Sequence, residues 1–105
     1  MPQSIPVPVR PFSTFTDVVG SRGVDTIYQN TSGRIMWINV IIGILAGVEC
    51  TLTIGSSSPP STYIDNDVIG DKSLCILQGL IPPSWYYRVD TNAGTPVILN
   101  WFEAY

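Results

Sequence analysis

Val48, Cys50, Leu52 and Ile54 alternate with Glu49, Thr51, Thr53 and Gly55, a period of two that places apolar groups on one face of a strand and polar groups on the other. This is the clearest strand signature in the chain. Just before it, positions 35 to 48 read I-M-W-I-N-V-I-I-G-I-L-A-G-V. Met36, Ile38, Val40 and Ile42 share one face while Ile35, Trp37, Asn39 and Ile41 share the other, which predicts a central or intersubunit strand, apolar on both sides. A helix over 35–46 is the alternative for so short an apolar run. The density of isoleucine and valine, the glycines at 43 and 47, and the lack of an N-cap carboxylate favour the strand. With Asn39 inside it and fourteen residues in all, the run falls short of the roughly 17 to 25 needed for a membrane-spanning helix.

Further along, Thr26, Ile27, Tyr28 and Gln29 read as a short strand before a turn at Asn30-Thr31-Ser32-Gly33, residues that bond their own backbone or accept positive φ. Positions 55–61 form a Gly/Ser/Pro loop, and Asp65-Asn66-Asp67 opens a turn-rich stretch after Tyr63 and Ile64. A strand over 72–77 is closed by Gly79. Pro82-Pro83-Ser84 turns the chain into a strand at 85–89, and the loop 90–96 precedes a last strand at 97–102. Short strands separated by Gly/Pro/Ser turns, without a sustained helical period, predict an all-β fold: a small antiparallel β-sandwich or jelly-roll-like barrel. The two aromatic-rich final strands are expected to pack on the long central one, with Trp37, Trp85 and Trp101 as core or interface pieces.

The start of the chain follows another rule. Pro2, Pro6, Pro8 and Pro11 alternate with β-formers, which excludes a helix and restricts any strand to a sheet edge. The pattern predicts an extended Pro-rich N-terminal arm over 1–22, ahead of a single sandwich domain over 23–105. Ile5, Val7, Val9, Phe12 and Phe15 supply apolar anchors by which such an arm grips a neighbour, and its prolines reduce the entropy lost on ordering. A disordered terminus is the alternative. Neither a basic n-region nor an apolar h-region follows Met1, so no signal peptide is expected and the cytoplasm is the default compartment.

Composition sharpens the picture. The chain has 105 residues, 45% hydrophobic and only 12% charged, against about 25% charged in an average domain. A domain of this size buries roughly 60 to 68% of its unfolded surface, so some apolar surface is expected to be exposed or covered by another chain. A net charge of -3 without a basic stripe gives no footprint for nucleic acid or for an anionic membrane surface.

Candidate chemistry is sparse. There is no histidine, and Cys50 and Cys75 have no metal-ligand spacing, so they read as two buried small hydrophobes; neither metal nor cofactor is expected. Asp65, Asp67 and Asp71 resemble a calcium loop superficially, but the twelfth-position glutamate is missing, and they read as solvated turn aspartates. Ser56-Ser57-Ser58 lacks a base. Asn30-Thr31-Ser32 matches the glycosylation acceptor motif, which matters only in a secreted eukaryotic chain. Carboxylates flanking a sugar-cleaving groove are not expected in so short a chain, and no enzyme is anticipated. Tyr63, Trp85, Tyr86, Tyr87, Phe102 and Tyr105 offer either a carbohydrate-stacking platform or packing within the core and between subunits. Tyr63, Tyr86 and Arg88 are the side chains expected to face a ligand.

Ser21-Arg22 with Ile27-Tyr28-Gln29-Asn30-Thr31-Ser32-Gly33-Arg34, then Ile81-Pro82-Pro83-Ser84-Trp85-Tyr86-Tyr87, and finally Leu99-Asn100-Trp101-Phe102-Glu103 form an ordered set over about residues 21–105. Taken together, they resemble a small β-sandwich module found in structural proteins of tailed-bacteriophage virions. The resemblance implies a homotrimeric, non-catalytic virion part in which Tyr28 and Trp101 pack and Asn30 and Gly33 turn the chain. A fibre module is expected to follow a long stalk, but only the Pro-rich arm is present. A capsid decoration protein is therefore the expectation, assembled in the host cytoplasm, located on the virion surface and bound to the major capsid protein through its arm and trimer contacts. The alternative is a tail-fibre or baseplate tip that binds a host glycan or receptor through loops 56–72 and 90–96.

Overall fold

The computed structural model describes residues 13–43, 49–68, 74–92 and 96–105; the anchors Ile5, Val7, Val9 and Phe12 lie outside the described residues. The described strands are β1 (Phe15–Asp17), β2 (Ile27–Gln29), β3 (Met36–Gly43), β4 (Glu49–Gly55), β5 (Thr62–Val68), β6 (Leu74–Ile81), β7 (Tyr86–Thr91) and β8 (Val97–Ala104), with a 3-10 turn at Val19–Ser21. β1 pairs with β8, β2 with β7, β3 with β6 and β4 with β5, all antiparallel. The pairs β3–β8 and β4–β7 join this ribbon into two four-stranded sheets of order β1-β8-β3-β6 and β2-β7-β4-β5. The fold is a small β-sandwich whose nested pairing is jelly-roll connectivity. We call its layers the β3 sheet and the β4 sheet.

β3 is central in its sheet, as its two apolar faces require. Met36, Ile38, Val40 and Ile42 point inward and meet Cys50, Leu52 and Ile54 of β4, Cys75, Leu77 and Ile81 of β6, Tyr87 and Val89 of β7, and Trp101 of β8. Burying each large side chain of this set contributes roughly 1.5 to 3 kcal/mol, which makes this layer the main stabilising element.

Several elements differ from the sequence expectation, each for an identifiable reason. The sandwich begins inside the segment expected to be arm: Phe15–Asp17 pairs with β8, and the Ser13 and Thr14 N–H groups donate to the Tyr105 carbonyl at 3.0 and 2.7 Å. Phe15 stacks near Phe102 and Trp37, with ring centroids 5.0 and 6.2 Å away, which draws residues beyond the last proline onto the sheet. The two aromatic strands do pack on β3 as expected, β8 by pairing with it and β7 from the opposite sheet through Tyr87 and Val89.

Asp65, Asn66 and Asp67 lie within β5, not in a turn. Their polar groups have partners: the Ile76 and Gln78 N–H groups donate to Oδ2 of Asp67 and of Asp65, both at 2.8 Å, and Asn66 Nδ2 donates to Glu49 Oε1 at 2.9 Å. Tertiary hydrogen bonding overrides the local turn preference. Gly79 does not close β6, which continues to Ile81. A Cβ at Gly79 would stand 2.9 Å from Leu52 Cδ2 and collide with Ile64 Cδ1, so the missing side chain admits Ile64 between the sheets. Thr53 was expected on the wet face of β4 but is buried, at the point where the β4–β5 register shifts.

Candidate functional site

The outer faces of the two sheets are chemically unlike. On the β3 sheet, strand register aligns Phe15, Ala104, Trp37 and Leu80 in one row and Asp17, Phe102, Asn39 and Gln78 in the next. Asn100, Ile41 and Ile76 make a third row, and Val97, Gly43 and Leu74 a fourth, with Leu99 lying against Gly43. Phe15 is 63% exposed, Val97 58% and Leu80 55%, and Ile76, Leu74 and Leu99 are also exposed. Ala104 is fully buried because the Phe15 and Trp37 rings flank it from the neighbouring strands. Among the described strand residues of this face Asp17 alone is charged, and its Oδ1 accepts the Val19 N–H at 3.0 Å. Gln78 Nε2 donates to Asn39 Oδ1 at 2.8 Å, so the polar row is internally bonded.

The outer face of the β4 sheet carries Gln29, Tyr86, Arg88, Asp90, Thr51, Glu49 and Asn66. Tyr63 and Arg88 flank Thr53 in a single row, two strand spacings apart, roughly 10 Å. Tyr63 is 75% exposed. Arg88 Nε is bound to Asp90 Oδ2 at 2.8 Å. Burial holds the Asp90 carboxyl above its usual range, the Arg88 bond opposing this and Asp25 adding to it. The three residues expected to face a ligand thus share the outer face of the β4 sheet, with Ile27 opposite Arg88.

At one end of the sandwich the sheets are joined by a polar cluster. Arg22 Nη2 donates to Glu103 Oε1 at 2.9 Å and Nε to Oε2 at 3.0 Å, and the Tyr87 hydroxyl donates to the same Oε2. A cavity of about 210 Å³ lies alongside, lined by Arg22, Gln29, Asn30, Ser32, Glu103 and Tyr105 among others. The Glu103 bond raises the Arg22 guanidinium further above its ordinary value, while burial and then Glu103 push the Tyr87 phenol up. Both groups are therefore held protonated against a carboxylate whose two oxygens are engaged. This arrangement ties β7 to β8 through charge-assisted hydrogen bonds.

The remaining sequence candidates occupy separate places in the fold. Tyr28 packs with ring centroids 5.6 Å from Tyr87 and 6.0 Å from Trp101, accepts the Gly23 N–H at 2.7 Å, and lies under the Arg22 guanidinium at 4.7 Å. Trp101 is fully buried, Trp85 is partly buried against the core, and Trp37 belongs to the outer face. Asn30 is 1% exposed. Its Nδ2 donates to the carbonyls of Arg34, Ile81 and Pro82 at 2.7, 2.9 and 3.2 Å, and its Oδ1 accepts from Ser32. That amide is consumed as a turn clamp, with Gly33 at φ 77° completing the turn. Cys50 and Cys75 are free and buried; Cys75 Sγ donates to the Asp67 carbonyl at 3.5 Å, and burial with the neighbouring Cys75 raises the Cys50 thiol.

Sequence reasoning did not single out Leu74, Ile76, Leu80, Val97 and Leu99 as one surface. The available signal was the low charge with a β3 strand apolar on both sides, but assigning the outer residues of β6 and β8 to that surface requires the register. Among the described residues no group of three His, Cys, Asp or Glu side chains is placed to hold a metal ion. No known protein family, curated protein or solved structure matches the chain.

Proposed function

We propose that this protein is a non-enzymatic structural component of a bacteriophage virion, a capsid decoration protein that reinforces the shell. The observation that carries this reading is the outer face of the β3 sheet: apolar residues on all four strands around the amides Asn39, Gln78 and Asn100, Asp17 as its single charge among the described strand residues, and the hydrophobic core behind it. Contiguous apolar patches on soluble monomers seldom exceed roughly 300 to 600 Å² and are often functional at that size. A module whose role is to be covered by protein has a use for such a face. Binding only in the assembled state then adds stability to the lattice by mass action. In this reading the Ile5, Val7, Val9 and Phe12 side chains contribute shell contacts, Phe15 belongs to the apolar face, and the module acts as a homotrimer. Jelly rolls build viral capsid domains and lectins alike, so the fold agrees with the proposal without selecting it.

One observation favours a second reading. Tyr63 stands three-quarters exposed in the same row as Arg88 on the polar face of the β4 sheet, an arrangement suited to weak stacking on a host glycan, multiplied by avidity in a trimeric tail tip. Cryo-electron microscopy of particles made with and without the protein separates the two. Density over the shell is the expected result; density at the tail tip replaces the first reading by the second, and particles that never incorporate the protein overturn both.

A further inference from the structure

We infer that the outer face of the β3 sheet is where copies of this chain meet: it packs against the same face of other copies around a rotation axis that runs along the strands. This inference rests on reading that face as an assembly surface and names what covers it.

The size of the face is adequate. β3, β6 and β8, each eight residues long, and the three-residue β1, spaced about 4.8 Å apart at roughly 3.3 Å per residue, give a footprint of roughly 430 Å² per copy. Two such faces together remove roughly 900 Å² of projected area from water, close to the level of about 1,000 Å² at which specific interfaces begin. The composition also argues for a permanent partner. Transient partners are recognised across surfaces about as polar as the rest of a protein, whereas the cores of homo-oligomer interfaces lose their charges and resemble a domain interior. This face has leucine, isoleucine, valine and aromatic rings around Asn100 and an amide pair, Asn39 and Gln78, that is bonded to itself. A second copy is a partner present wherever the chain is made.

Charge placement supplies the third argument. β1 and β6 are the two edges of the sheet, and Asp17 and Gln78 lie in the same row at those opposite edges. Rotation about an axis along the strands preserves height, so β1 of one copy meets β6 of the next with Asp17 beside Gln78 and Phe15 beside Leu80. The single carboxylate of the face then meets a side-chain amide and never its own image.

Sedimentation equilibrium of the full chain over micromolar concentrations tests this, comparing wild type with Ile76→Lys and Leu80→Lys, and with Thr51→Lys on the opposite sheet as control. A closed oligomer for wild type and the control, with the two face variants weakened by roughly 100-fold or more in dissociation constant, is the expected result. Ile76→Gln and Leu80→Ser provide milder changes if a lysine variant loses its circular dichroism spectrum. A wild type that remains monomeric throughout, or folded face variants that associate as tightly as wild type, overturns the inference. A monomer that nevertheless decorates particles would overturn this pairing and leave the decoration reading standing. An oligomer through this face that never enters particles would do the reverse.

Discussion

Arg22 and Glu103 meet through two near-parallel hydrogen bonds of 2.9 and 3.0 Å, although they lie at opposite ends of the described chain. Glu103 is nearly buried while about a quarter of the Arg22 side chain is exposed, so the pair falls between the surface and interior regimes. Breaking a buried pair costs about 3 to 5 kcal/mol and a surface pair about 0 to 1. Glu103→Ala, which also removes the acceptor for Tyr87, is expected to cost roughly 1 to 3 kcal/mol by urea unfolding. Glu103→Gln retains one acceptor and should cost less. Equal midpoints for Glu103→Ala and wild type would show that the cluster contributes nothing to stability.

The same cluster sets an alkaline limit. Burial, reinforced by the Glu103 carboxylate, raises the Tyr87 phenol in the folded protein, while an unfolded tyrosine titrates near pH 10. Below about pH 10 both states hold the proton and the stabilisation is complete. Above it the unfolded chain releases a proton that the folded chain keeps, so stability falls with rising pH by up to about 1.4 kcal/mol per unit from this group. Unfolding midpoints measured from about pH 8 to 11 should decline beyond pH 10, and Tyr87→Phe should flatten that decline.

Asp65 and Asp67 act as a latch between the sheets. Their carboxylates accept the Gln78 and Ile76 N–H groups on the β6 side that does not pair with β3, each at 2.8 Å. Asp65→Ala and Asp67→Ala each remove an acceptor and are expected to cost about 1 to 2 kcal/mol. Amide hydrogen exchange at Gln78 and Ile76, respectively, should accelerate. A strand edge freed in this way is also a template for unwanted pairing, so a double alanine variant should aggregate more readily than wild type. Unchanged exchange at both amides would argue against the latch.

Thr53 offers an improvement. Its hydroxyl is buried and has no hydrogen-bond partner among the described residues, which costs about 1 to 3 kcal/mol for a desolvated polar group. Thr53→Val replaces the hydroxyl with a methyl of similar volume and should raise stability by about 1 kcal/mol, equivalent to roughly 4 to 8 °C in a domain of this size. Differential scanning calorimetry provides the check; a lower melting temperature would mean that the hydroxyl has a role at the register shift.

Local patterning alone determined the all-β class, the two long strands β3 and β4 and the Asn30–Gly33 turn, because each depends on period two or on turn chemistry that acts within a few residues. It also announced an excess of apolar surface through low charge. Tertiary structure decided the rest. Asp65-Asn66-Asp67 becomes strand because acceptors for β6 stand there, and Gly79 stays inside β6 because Ile64 fills the space it leaves. Phe15 turns part of an expected arm into an edge strand by stacking with Phe102 and Trp37. The apolar face itself exists only once register places residues from β1, β3, β6 and β8 side by side, since contacts between distant segments carry no signature in a local pattern and are selected by packing and hydrogen bonding in the assembled sandwich.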